Sequence, residues 1–271
     1  MVFLAAVFLF CGGTVAVVQH QYQINKRLYR EASASFTEPN TLGADVTPSP
    51  ETPNPEETKK PSKLDDGIKR LDEVAPIKVN FEELKEVNDD VRGWIYCPDT
   101  VIDYPILHGK DNDQYLHRSY NGVDNASGSI FVDAENQKDF ADPISIVYGH
   151  HMSSGAMFAS LDKWQTRDFF AEHPVMWILT PEQDYKLVLF SAYHTSAYSD
   201  TYNLYGTASA EFGAHLRDIQ ASSAVPVKID LDQNAHYVIL STCAYIFIDA
   251  RAVVVGRLYP IMSAGGVRVD F

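Results

Sequence analysis

Apolar residues along the chain change their spacing twice, and those changes outline its parts. From Met1 to Val18 no side chain carries a charge, and the run is about as long as one helix across a bilayer requires. A cleaved leader normally has a shorter apolar stretch preceded by basic residues, so an uncleaved membrane anchor over 1–18 is the expectation, followed by a juxtamembrane segment over 19–30. Between 31 and 66 the apolar positions thin out among Thr, Ser and Glu, and six prolines interrupt them (Pro39, Pro48, Pro50, Pro53, Pro55 and Pro61). Such a stretch buries too little apolar surface to offset its ordering entropy, which predicts a Pro-rich flexible tether. A folded domain is expected over 67–271.

That domain opens with helical spacing, at Ile68, Leu71 and Val74 and again at Phe81, Leu84 and Val87. After Gly93 the pattern becomes that of strands. Short apolar or alternating runs occur at Trp94–Tyr96, Val101–Ile106, Ser129–Val132, Ile144–Tyr148, Val175–Leu179, Leu187–Tyr193, Tyr237–Leu240 and Ala252–Leu258, between turn-rich segments. Helical stretches are predicted at Met157–Trp164 and Ala208–Ile219. Many short strands with few helices between them predict a mainly β domain, an antiparallel barrel or sandwich with added helices.

Charge and cysteine usage narrow the function classes. The net charge of -14 opposes binding to nucleic-acid phosphates. Three cysteines, Cys11, Cys97 and Cys243, make neither a disulfide framework nor a zinc-ligand spacing. If the domain lies outside the cell, a thiol kept in an oxidising place points to chemistry. No basic residue precedes the apolar run, so the positive-inside rule taken literally would leave the domain in the cytoplasm. A short basic extension upstream of Met1 would restore the outward orientation.

Three residues stand where strands end. The apolar run 237–240 gives way to Ser241, Thr242 and Cys243, and a rigid strand end suits a nucleophile. Free cysteine is also among the most buried residue types, so a structural thiol is the competing reading. Ile146-Val147-Tyr148-Gly149 ends in His150 and His151. An imidazole beside a thiol favours the thiolate and exchanges protons with it. Adjacent residues on an extended chain point to opposite faces, which makes this His pair a poor chelate. Arg251 opens the last apolar run, where a fixed guanidinium can lower a thiol pKa or hold an oxyanion. Asp249, two residues earlier, either orients Arg251 or is a turn residue.

Taken together, these segments resemble class B sortases. LSTCAYIFIDAR (240–251) is similar to the family's signature, in which a Thr–Cys strand end leads through a loop to an arginine. IVYGHHM (146–152) resembles its histidine motif, and the stretches 93–122 and 128–136 continue the likeness. Ala244 departs from it, since many relatives carry a polar or acidic residue after the cysteine.

The resemblance implies an eight-stranded β-barrel with N-terminal helices and a helix before the Cys243 strand. It implies a cysteine transpeptidase that uses Cys243 as nucleophile, His150 as proton partner and Arg251 as oxyanion stabiliser. Its partners would be surface proteins bearing a C-terminal sorting motif, cleaved after Thr, and an acceptor amine from a peptidoglycan precursor or a pilin lysine. No metal or organic cofactor is implied. The expected location is the membrane of a Gram-positive bacterium, single-pass, with the catalytic domain outside. Two rivals remain: a cell-wall cysteine peptidase that releases acyl groups to water, and a non-catalytic tethered scaffold.

Overall fold

The computed structural model describes residues 20–41 and 74–261. The chain is helical over 20–36 (α1) and continues into strand β1 (Thr37–Pro39), which pairs antiparallel with β2 (Ile77–Val79). Helix α2 (Phe81–Val87) follows, its Asn80 side chain accepting from Glu83 N and Leu84 buried beneath it. Then come β3 (Val91–Tyr96), β4 (Asp103–Leu107), β5 (Ile130–Val132) and β6 (Ile144–Tyr148). A 3-10 helix (Ala159–Gln165), helix α3 (Arg167–Glu172), β7 (Val175–Leu179) and the long β8 (Asp184–Ser196) lead to α4 (Ala210–Ala221). Strands β9 (Tyr237–Cys243) and β10 (Ala250–Pro260) complete the elements of the described residues.

Eight strands close into a barrel in the order β10-β8-β7-β3-β4-β5-β6-β9. Every strand predicted after Gly93 has its counterpart here, with ends shifted by a few residues. The period-two alternation is a local signal; the pairing is not. Six neighbours are antiparallel, but β4 with β5 and β6 with β9 run parallel. The β6–β9 pair brings together strands separated by nearly ninety residues of sequence. Fully buried Trp94, Phe190, Phe212 and Tyr237 anchor the core, each contributing about 1.5–3 kcal/mol of burial. Helix α4, capped by Ser209 accepting from Phe212 N, seats Phe212 against Tyr237 at the start of β9. The helix expected before the cysteine strand is therefore present, and it braces that strand.

Two expectations are corrected. Among the described residues no helix is long and apolar enough to cross a membrane, so the single-pass membrane location with the domain outside is withdrawn. The apolar run 1–18 that suggested it lies outside the described residues, and α1 carries Lys26, Arg27, Arg30 and Glu31, charges that hydrocarbon would not accept. Residues 31–39, expected to begin the tether, instead form the end of α1 and strand β1. The buried face of α1 contains Asn25, Tyr29 and Ala32, so hydrophobicity alone does not reveal it. The remainder of the tether, 42–66, and the helical spacing at Ile68 and Leu71 lie outside the described residues; Val74 is in no helix.

Candidate functional site

Strands β6, β9 and β10 lie side by side, and their register gathers the three candidate residues at one end of the barrel. Arg251, second in β10, is the direct partner of Cys243, the last residue of β9. On the other side of β9, Tyr148 of β6 is level with Ser241, and Gly149 N extends the ladder by donating to Ser241 O at 3.1 Å. The ladder ends there; His150 leaves β6 directly after Gly149, at the same end of the barrel at which β9 ends in Cys243. Alternate residues of a strand share a face, so Cys243 follows Ser241 within β9. Neighbouring strands are about 4.8 Å apart, so Cys243 and Arg251 share one row across β9 and β10.

Gly149 is required by packing. A Cβ there would come within 2.4 Å of Ile130 Cδ1 and 2.8 Å of the Phe158 ring. The backbone can therefore pass close over the core and deliver His150 beyond it. His150 Nε2 donates to Leu116 O at 2.7 Å, and the His117 ring stacks on the imidazole at 5.9 Å. A carbonyl oxygen only accepts, so Nε2 holds a proton and the neutral ring keeps Nδ1 as its basic atom.

Two tyrosines line the row. Tyr202 Oη lies 2.8 Å from Ser241 Oγ. Burial raises its pKa, the Ser241 bond and Arg251 oppose that rise, and Cys243 adds to it, so Tyr202 is within electrostatic reach of both ends of the Cys243–Arg251 pair. Tyr148 donates to Asp133 Oδ2 at 3.0 Å. Burial and the Asp133 charge push its hydroxyl far up, with Arg251 acting in the opposite direction. Both phenols stay neutral. Arg251 Nη1 donates to Ala250 O at 3.1 Å. Asp249 is a turn residue: its φ is 58°, and its carbonyl accepts from Ala197 N at 2.9 Å.

The two described thiols differ sharply. Cys97 is buried, 1% exposed, and desolvation pushes its pKa up to about 12. Cys243 is half-buried at the barrel rim. The loop joining it to Arg251 turns Tyr245, Ile246, Phe247 and Ile248 towards solvent, with Ile248 90% exposed. That makes an apolar lip beside the row.

His151 has partners of its own. Its Nε2 is 3.3 Å from Asp162 Oδ2, while Asp162 Oδ1 is 2.9 Å from His194 Nε2. Its ring also rests on Tyr245, at 5.2 Å between centroids. Among the described residues no cluster of His, Cys, Asp and Glu could hold a metal ion. Sequence reasoning missed Leu116, His117, Tyr202, Asp162 and His194. Leu116 and His117 fall inside the stretch 93–122 but carry no signal of their own there, Tyr202, Asp162 and His194 lie outside the matched segments, and a backbone carbonyl leaves no compositional trace.

No family model matches the chain. Sortase B of Listeria monocytogenes is 33% identical over 186 residues, which cover 67% of this chain and 75% of that protein. The structure of Clostridium perfringens sortase B aligns with a TM-score of 0.62 and 33% identity, covering 66% of this chain and 100% of the other. A Staphylococcus aureus sortase B–substrate complex aligns with a TM-score of 0.62 at 27% identity, covering 73% and 92% of the two chains.

Proposed function

Because the chain belongs to the sortase B family, we propose that it is a cysteine transpeptidase working through Cys243, His150 and Arg251. The observation that carries this reading is the register: Arg251 directly opposite Cys243, with His150 arriving on the next strand. The half-buried state of Cys243 beside a buried, inert Cys97 supports the choice of thiol.

The reaction divides into two acyl transfers. The Cys243 thiolate attacks the carbonyl carbon of a threonine in a sorting-motif peptide, and Arg251 donates to the resulting oxyanion. The C–N bond breaks as the leaving amine takes a proton from the His150 imidazolium, and a thioester remains on Cys243. An acceptor amine, from a peptidoglycan precursor or a pilin lysine, then attacks the thioester. It passes its proton to His150 while the C–S bond breaks and the thiolate returns. Since Nε2 is held by Leu116, Nδ1 is the atom that exchanges the proton. A Staphylococcus aureus relative has been solved in complex with its substrate, and the apolar lip at 245–248 gives a sorting-motif peptide a surface beside the thiol.

Incubation with a panel of sorting-motif peptides, with and without an added amine, tests the proposal by intact mass. A thioester adduct that transfers to the amine and is absent in Cys243→Ala is expected. Release of free acid only, unchanged by saturating amine, would make the protein a peptidase. Thiolate and imidazolium must coexist, so kcat/KM is expected to rise and then fall with pH. A curve with no fall at high pH would remove His150 from the acid role.

A further inference from the structure

We infer that helix α1 is a positioning element for His150, holding through Tyr22, Asn25 and Tyr29 the two segments that fix the imidazole. The three side chains are spaced by three and four residues and so occupy one face of the helix. Asn25 and Tyr29 are buried, 4% and 5% exposed. Asn25 Nδ2 donates to Ser127 Oγ at 2.6 Å, and Tyr29 Oη donates to Gly128 O and approaches Ser129 Oγ at 3.3 Å. Tyr22 Oη lies 2.8 Å from Ser153 Oγ. Burial raises the Tyr29 pKa strongly, so its hydroxyl is a permanent donor.

Both receiving segments bear on His150. Residues 127–129 lie directly against the backbone of 115–118: Ser129 N donates to Tyr115 O at 3.0 Å and Ser129 Oγ to Arg118 O at 2.7 Å. A Cβ on Gly128, whose φ is 57°, would come within 2.4 Å of Leu116 O, the same oxygen that accepts from His150 Nε2. Ser153 belongs to the turn that follows His150 and His151, which is closed by Phe158 N donating to His150 O at 3.0 Å. Helix α1 therefore reaches the carbonyl that sets the imidazole's tautomer and the turn that sets its backbone. Loosening either contact would let the proton redistribute between Nε2 and Nδ1, and the ring would leave its place beside Cys243.

The kinetic part of the test rests on the transpeptidase reading; the spectroscopic part does not. Tyr29→Phe in the full chain removes one hydroxyl and keeps the ring. With a sorting-motif peptide, kcat is expected to fall about tenfold while KM stays the same. Nitrogen-15 spectra of the histidine rings, with His150 assigned by its loss in His150→Gln, are expected to show a single Nε2-protonated form in the wild type and a mixture in Tyr29→Phe. Should that variant fail to fold, Asn25→Ala and the more exposed Tyr22→Phe are read in the same way. Lower melting temperature with unchanged kcat and an unchanged His150 tautomer would overturn the inference, leaving α1 a purely structural brace. If the wild type turns over no peptide, the reading of function fails and the nitrogen-15 comparison alone decides the role of α1.

Discussion

Cys97 and Cys243 show how one residue type divides by environment. A thiol reacts as the thiolate, and burial pushes the Cys97 pKa up to about 12, where almost no thiolate exists at neutral pH. Cys243 ends its strand at the rim. An alkylating probe is expected to label Cys243 in the folded protein and Cys97 only in denaturant, as peptide mapping would show. Labelling of both at equal rates would end the distinction on which the choice of nucleophile rests. Arg251 invites an equally sharp test. Lysine keeps the charge but loses the planar fork, so Arg251→Lys is expected to lower kcat by about 10²–10³ if the guanidinium holds the oxyanion. An unchanged kcat would leave Arg251 an ordinary solvated arginine at a strand start. Asp249 was ambiguous in sequence, and its positive φ resolves it as a turn residue.

At the scale of elements, the proposed site is gathered where β6, β9 and β10 meet one end of the barrel. It depends on the chain after β6 crossing the core closely enough to release His150 there. Gly149→Ala tests that crossing. The added methyl has no room against Ile130 and Phe158, and overpacking of this kind costs about 1–3 kcal/mol. Urea unfolding is expected to show that loss, and kcat is expected to fall with it because relief of the clash must move the backbone next to His150. The strand ends were legible because small polar residues or glycine replace the apolar run at 149 and at 241–243. The docking of α1 was not, since its buried face is built from Asn25, Tyr29 and Ala32, residues that equally suit a solvated segment.

Over the whole molecule, acidity and burial meet at Asp184, which starts β8 and whose carbonyl accepts from Ile261 N just after β10. Burial, only partly offset by a backbone hydrogen bond from Thr180, raises its carboxyl from an ordinary value of 3.8 to about 6. The folded state thus holds this proton more tightly than the unfolded state does. Its stabilising contribution is complete below about pH 4 and is lost as pH rises through about 6. The gap between the two values corresponds to at most about 3 kcal/mol, less any screening by solvent. Asp184→Asn is neutral throughout, so it is expected to be more stable than the wild type at pH 8, with the difference shrinking towards pH 4. Urea titrations at both pH values would check this; a constant difference would show that Asp184 does not titrate in this range.

What the sequence determined by itself is local. Alternating apolar residues and turn residues sit next to one another in the chain, so all eight barrel strands and the helix before β9 were readable, and Cys243, His150 and Arg251 could be named as candidates. Only the tertiary structure decided what depends on distant partners. The parallel pairing of β6 with β9, which brings the end of β6 beside the end of β9, is made by backbone groups common to every residue. The Leu116 carbonyl beside His150 and the contacts of α1 with residues 127–129 are likewise meetings of segments far apart in sequence. Backbone hydrogen bonds carry no side-chain signature, so no pattern along the chain announces them, and they appear only once the barrel has closed.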